Sequence, residues 1–80
     1  MAFYYTYVLK SKKDGLLYIG YTNNLRERIK QHERGEVIAT CYRRPLELMY
    51  YEACRNKAKA LKREHYFKTG FGRRFLKIRV

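Results

Sequence analysis

The sequence predicts an α+β domain with a small antiparallel sheet, in the order β-β-α-β-α plus a short C-terminal element. Three observations carry this. Two aromatic and β-branched runs flank Asp14-Gly15, a strong hairpin signal. Two Asn residues open helical stretches that end near Gly35 and Gly70. A chain of 80 residues has room for one core and not a second, so residues 1–80 are expected to form a single domain.

Phe3 to Leu9 reads as the first strand, free of Gly and Pro, and Leu16 to Tyr21 as the second. Pairing Lys10 with Gly15 around a four-residue loop sets Tyr7 opposite Tyr18 on one face. Asn24-Leu25-Arg26-Glu27 starts a helix, with Asn as N-cap and Glu at the third helical position. That helix runs to about Arg34 and stops at Gly35. Residues 36–45 have no period and end at Arg43-Arg44-Pro45, which reads as a loop. Leu46 to Ala53 is a third strand, and Asn56 caps a second helix reaching Thr69, with Gly70 as its stop. For Phe71 to Val80 the period leaves helix and strand both open.

Charge narrows the function. Nineteen basic residues against seven acidic ones give a net +12, and residues 55–80 hold ten basic residues with one acid, Glu64. An excess of this kind points to a polyanion, most commonly nucleic acid. No run of about 18 apolar residues is present, so no membrane partner is expected. Lys10, Lys12 and Lys13 follow the first apolar stretch, the wrong order for a secretory signal, and a cytoplasmic location is expected. Cys41 and Cys54 are too few for a disulfide framework and do not fit a zinc pattern.

Helical wheels then single out three polar residues. On the first helix Leu25 and Ile29 mark the buried side; His32 lies about 20° and Arg28 about 60° from Leu25. A rim Arg and a hydrogen-bonded core His are the commoner explanation of this placement, and a site is the other. On the second helix Ala60, Leu61 and Phe67 define the apolar face, with Glu64 in the middle of it and Lys59, Lys62 and Arg63 opposite. A carboxylate so placed needs a partner. An ion pair with Arg28 or a Lys satisfies it, and so does a Mg²⁺ ion beside a phosphate.

Tyr5-Thr6-Tyr7, then Tyr18-Ile19-Gly20, then Arg28, His32 and Glu64 in order, resemble the GIY-YIG nuclease family, as its UvrC N-terminal domain and small stand-alone members carry it. The resemblance spans roughly residues 3–68. It implies a three-stranded antiparallel sheet flanked by helices, and metal-dependent hydrolysis of a DNA phosphodiester, as in DNA repair or recombination. Tyr7 would then activate water, with Tyr18 orienting it. Arg28 would hold the scissile phosphate, and His32 would bond to or relay the proton of Tyr7. Glu64 would hold one Mg²⁺ or Mn²⁺. Arg26, Arg43, Arg44, Lys62 and Arg63 would follow the nucleic-acid backbone. Tyr5 stands where the family has Gly, and Tyr21 where UvrC-like members have Lys. An alternative is a non-catalytic nucleic-acid-binding module on the same scaffold. RNA stays open as a ligand beside DNA, as do a partner protein and a homodimer.

Overall fold

The computed structural model describes residues 2–80. Its elements are β1 (Tyr4–Ser11), β2 (Leu17–Thr22), α1 (Leu25–Glu33), β3 (Leu46–Cys54), α2 (Lys57–Phe67) and α3 (Gly70–Arg79). The three strands form one antiparallel sheet in the order β2-β1-β3. The α+β architecture is the one the sequence predicts.

The centre of that sheet is β1, where Thr6, Tyr7, Val8 and Leu9 are all buried. Alternation sends Thr6 and Val8 to one face and Tyr7 and Leu9 to the other. On the first face Val8 packs with Phe67 of α2 and Leu76 of α3, the fully buried apolar cluster. Burying each such side chain contributes about 1.5–3 kcal/mol. Thr6 Oγ1 donates to the Ala60 carbonyl at 2.9 Å, tying α2 to the central strand. On the second face Tyr7 meets His32 of α1.

The hairpin corrects the expected register. Lys10 pairs with Leu17, and Tyr7 lies opposite Gly20. The longer turn is built on Ser11, whose buried Oγ accepts from the Lys13 and Asp14 amides at 3.1 and 3.2 Å. Asp14 Oδ1 accepts from the Leu16 amide, and Gly15 takes φ +74°. The slip is two residues, an even number, so Tyr7 and Tyr18 still share a face and sit diagonally.

Two further expectations change. Thr69 does not belong to α2; its side chain accepts from the Gly72 amide and caps α3. Gly70 is therefore the first residue of the next helix rather than a stop, and the undecided tail is helical. Gly72 allows the two helices to meet: a Cβ there would lie 2.0 Å from the Tyr66 carbonyl oxygen. On α2, Leu61 is 41% exposed while Arg63 turns toward the sheet. Arg63 gains by that turn, because Glu52 of β3 and three aromatic rings wait there.

Candidate active site

The second face of the sheet gathers Tyr7, Tyr18 and His32. Tyr7 is fully buried in β1, and its Oη lies 2.8 Å from His32 Nε2. The opposite ring nitrogen, Nδ1, lies 2.7 Å from Thr40 Oγ1 in the loop after α1. His32 and Thr40 are each 1% exposed, so both hydroxyl contacts are shielded from solvent. Tyr18 packs against both rings, its centroid 6.4 Å from Tyr7 and 5.3 Å from His32.

Gly20 makes room for this cluster. A Cβ built there would sit 2.3 Å from Tyr7 Cζ and 2.4 Å from its hydroxyl. The phenol ring thus lies flat across the second strand where only hydrogen fits.

Helix α1 positions His32 and Arg28 one turn apart. Asn24 caps it by accepting from the Glu27 amide, and Gly35 at φ +78° turns the chain away after Arg34. Arg28 is half-buried and donates to Gln31 Oε1 at 3.0 Å. Burial pushes the Tyr7 hydroxyl above its usual pKa, while a hydrogen bond and positive charge from Arg28 oppose the rise. Tyr18 and Glu64 add to it through their negative charge. His32 falls to about 4, through burial first and the Arg28 charge second. At neutral pH the pair is therefore an uncharged phenol and an uncharged imidazole.

Glu64 lies on α2, near enough for its charge to act on Tyr7. Its side chain is 23% exposed, and its carboxylate accepts from Lys68 Nζ at 3.4 Å, one turn along the same helix. No group of three or more His, Cys, Asp or Glu gathers anywhere among the described residues. A cation at Glu64 would thus keep a shell of water and substrate oxygens, the habit of Mg²⁺. A single hard carboxylate oxygen donor fits that class of ion.

The five basic residues proposed for a nucleic-acid surface divide. Arg63 donates to both Glu52 oxygens at 2.8 and 3.0 Å, and its guanidinium lies over Tyr66, Phe67 and Phe75. Arg43 donates to Asp14 and to the Leu16 carbonyl. Arg44 donates to the Cys41 and Glu33 carbonyls. These three hold the fold together, whereas Arg26 and Lys62 are exposed and make no ion pair among the described residues.

Two residues here carry no signal that sequence reasoning used for a site. Thr40 is a buried loop hydroxyl, visible only once the loop folds onto His32. Lys57, at the start of α2, lines a polar cleft of about 490 Å³ with Tyr21, Arg28 and Gln31. Its place beside Arg28 depends on how α2 meets the end of β2.

Comparison with known proteins agrees with this geometry. The GIY-YIG catalytic domain matches residues 3–77. The chain is 41% identical over 76 residues to a UPF0213 protein of Staphylococcus saprophyticus, covering 94% of this chain and 92% of that one. It is 48% identical over 65 residues to a UPF0213 protein of Clostridium perfringens, covering 80% and 69%. Its fold is similar to the solution NMR structure of a UPF0213 protein from Bacillus halodurans, with TM-score 0.58 and 32% identity, covering 92% and 81%.

Proposed function

The chain belongs to the GIY-YIG nuclease family, and from that premise we propose that it is a metal-dependent endonuclease hydrolysing DNA phosphodiester bonds, in repair or recombination. The observation that carries this reading is the Tyr7 hydroxyl, buried 2.8 Å from a neutral His32 and under the charge of Arg28.

A neutral imidazole has one N–H. If Nδ1–H donates to Thr40 Oγ1, Nε2 accepts from Tyr7 Oη, and the phenol oxygen keeps a lone pair; Tyr7 is fully buried, so water reaches that lone pair once the α1 side of the cluster opens. As water attacks phosphorus, its proton passes to Tyr7 Oη while the phenol proton passes to His32 Nε2. No free phenolate is needed, which suits a hydroxyl whose pKa burial has raised. Charge separation within the pair becomes favourable only as negative charge builds on the phosphate. Arg28 takes that charge with its planar fork, and Lys57 supplies a second cation across the same cleft. Lys57 thus offsets the Tyr21 position, where UvrC-like members have Lys. Glu64 would hold Mg²⁺ or Mn²⁺, which when bound stabilises the leaving oxygen.

Nicking of supercoiled plasmid by purified protein, with Mg²⁺ or Mn²⁺ and with chelator, tests the reading. Cleavage that needs the cation and is lost in Glu64→Ala is the expected result. Equal cleavage by Glu64→Ala removes the metal role. Salt-sensitive binding without cleavage of any DNA form replaces the nuclease with the non-catalytic binding module.

A further inference from the structure

A groove of about 750 Å³ runs along the outer edge of β2, between the hairpin turn and α2–α3. Its floor is apolar, made by Leu16, Leu17 and Ile19 over the fully buried Phe67 and Leu76. Its rim is cationic throughout: Lys68, Arg73, Arg74 and Lys77 line it, and no acidic residue does. Arg73 and Lys77 make no ion pair among the described residues, so their charge faces solvent. Two residues link the groove to the candidate active site. Tyr18 lines it and also packs on Tyr7 and His32. Lys68 lines it and also pairs with Glu64.

We infer that this groove binds an unpaired nucleic-acid strand, its bases on the apolar floor and its phosphates along Lys68, Arg73, Arg74 and Lys77. Duplex DNA keeps its base faces stacked on one another, so an apolar floor has no base face to cover. An unstacked strand offers both, and a greasy channel with a positive rim is how such strands are held. The volume falls in the range of sites that enclose small organic ligands, enough for nucleotides and far too small for a duplex. An acidic peptide or a second copy of this chain are the other occupants of an apolar groove. The copy is opposed by the net charge of +12 on each molecule. An acidic peptide offers carboxylates to the rim but no ring at every step of its chain for the floor, as a nucleic-acid strand does.

The inference deepens the proposed nuclease reading: the substrate becomes a junction between duplex and single strand, with the scissile phosphate near Tyr18. Its own test needs no cleavage. Fluorescence anisotropy in chelator compares a blunt duplex with the same duplex carrying a single-stranded overhang. The overhang should tighten binding about tenfold, the worth of roughly one stacked base. The double variant Arg73→Glu/Lys77→Glu should abolish that difference and leave a larger share of blunt-duplex binding. Arg73→Gln/Lys77→Gln, with melting temperature as the fold check, should give the same loss in weaker form. Equal affinity for both DNAs overturns the inference. So does an equal loss on both DNAs in the double variants, which marks a general phosphate surface. Dimerisation in sedimentation that the Glu variants abolish also overturns it, because a second copy is then the occupant. If the overhang preference holds but no DNA is ever cut, the groove stands and the nuclease reading falls.

Discussion

Tyr7 Oη and His32 Nε2 lie 2.8 Å apart, and both side chains are shut away from solvent. The rings meet edge to face at 5.6 Å, and Thr40 closes the far side of the imidazole. The contact has two roles at once. It satisfies two buried polar groups, and it joins the helix carrying Arg28 to the central strand. Chemistry and docking therefore cannot be altered separately here.

Removing the hydroxyl exposes this double role. Tyr7→Phe leaves His32 Nε2 buried without its partner, at a cost of about 1–3 kcal/mol. Plasmid nicking should slow by a factor on the order of 100 or more, the usual worth of a proton-transfer group. Thermal melting and nicking on the same preparation separate the two effects. A variant that melts lower yet cuts normally would leave Tyr7 as a purely structural residue.

Stability should depend on pH through His32. Its pKa is about 4 in the fold against 6.5 for the unfolded chain, so the unfolded state takes up the proton first as pH falls. Stability is then fully present above about pH 6.5 and declines toward pH 4, by up to about 3 kcal/mol. Asp14 and Glu36, lowered by hydrogen bonds from Arg43 and Arg34, withdraw their support only at more acid pH. Urea midpoints measured from pH 7 to pH 4 check this. His32→Gln should flatten that window; an unchanged slope would remove His32 as its cause.

Gly20→Ala drives a methyl group into the Tyr7 ring. The destabilisation should be about 2 kcal/mol or more, since neither a central strand nor a packed ring yields easily. Tyr7→Ala vacates that space, so the double variant should fall less than the sum of the singles. Additive losses would place the strain elsewhere.

Arg63 and Lys62 are sequence neighbours with opposite expected effects. Arg63→Ala removes the Glu52 pair and the stacking on three rings, and should cost about 1–3 kcal/mol. Lys62→Ala should change stability by less than about 0.5 kcal/mol and instead weaken DNA binding. Melting and anisotropy on both variants settle the division. A reversed pattern would return Arg63 to the DNA surface.

Much of this was legible from local patterning. Asn24, Asn56 and Gly35 mark helix ends because capping is a short-range matter, and each does so in the structure. The wheel that set His32 on the inner side of α1 was right for the same reason. What failed depended on partners far away in sequence. Ser11 lengthened the hairpin because its buried hydroxyl serves the turn amides and also donates to the Arg43 carbonyl. Arg63 was drawn inward by Glu52, eleven residues back on another element. Thr69 had a stronger claim as a cap for α3 than as the end of α2. At the candidate site, periodicity picked out Arg28, His32 and Glu64, but not Thr40 or Lys57, which tertiary folding alone brings in.

Helix α1 buries one residue, His32, and that residue is polar. Leu25 and Ile29 stay half exposed, so undocking the helix uncovers little apolar surface. The helix should therefore open as a unit well below the free energy of global unfolding, with amide protection factors lower than those of β1. Opening also bares the imidazole to protons, so acid should deepen this loss of protection in α1 ahead of the sheet. The arginine proposed to grip the phosphate rides on a helix anchored by a single buried side chain, in a domain whose central strand is locked in place.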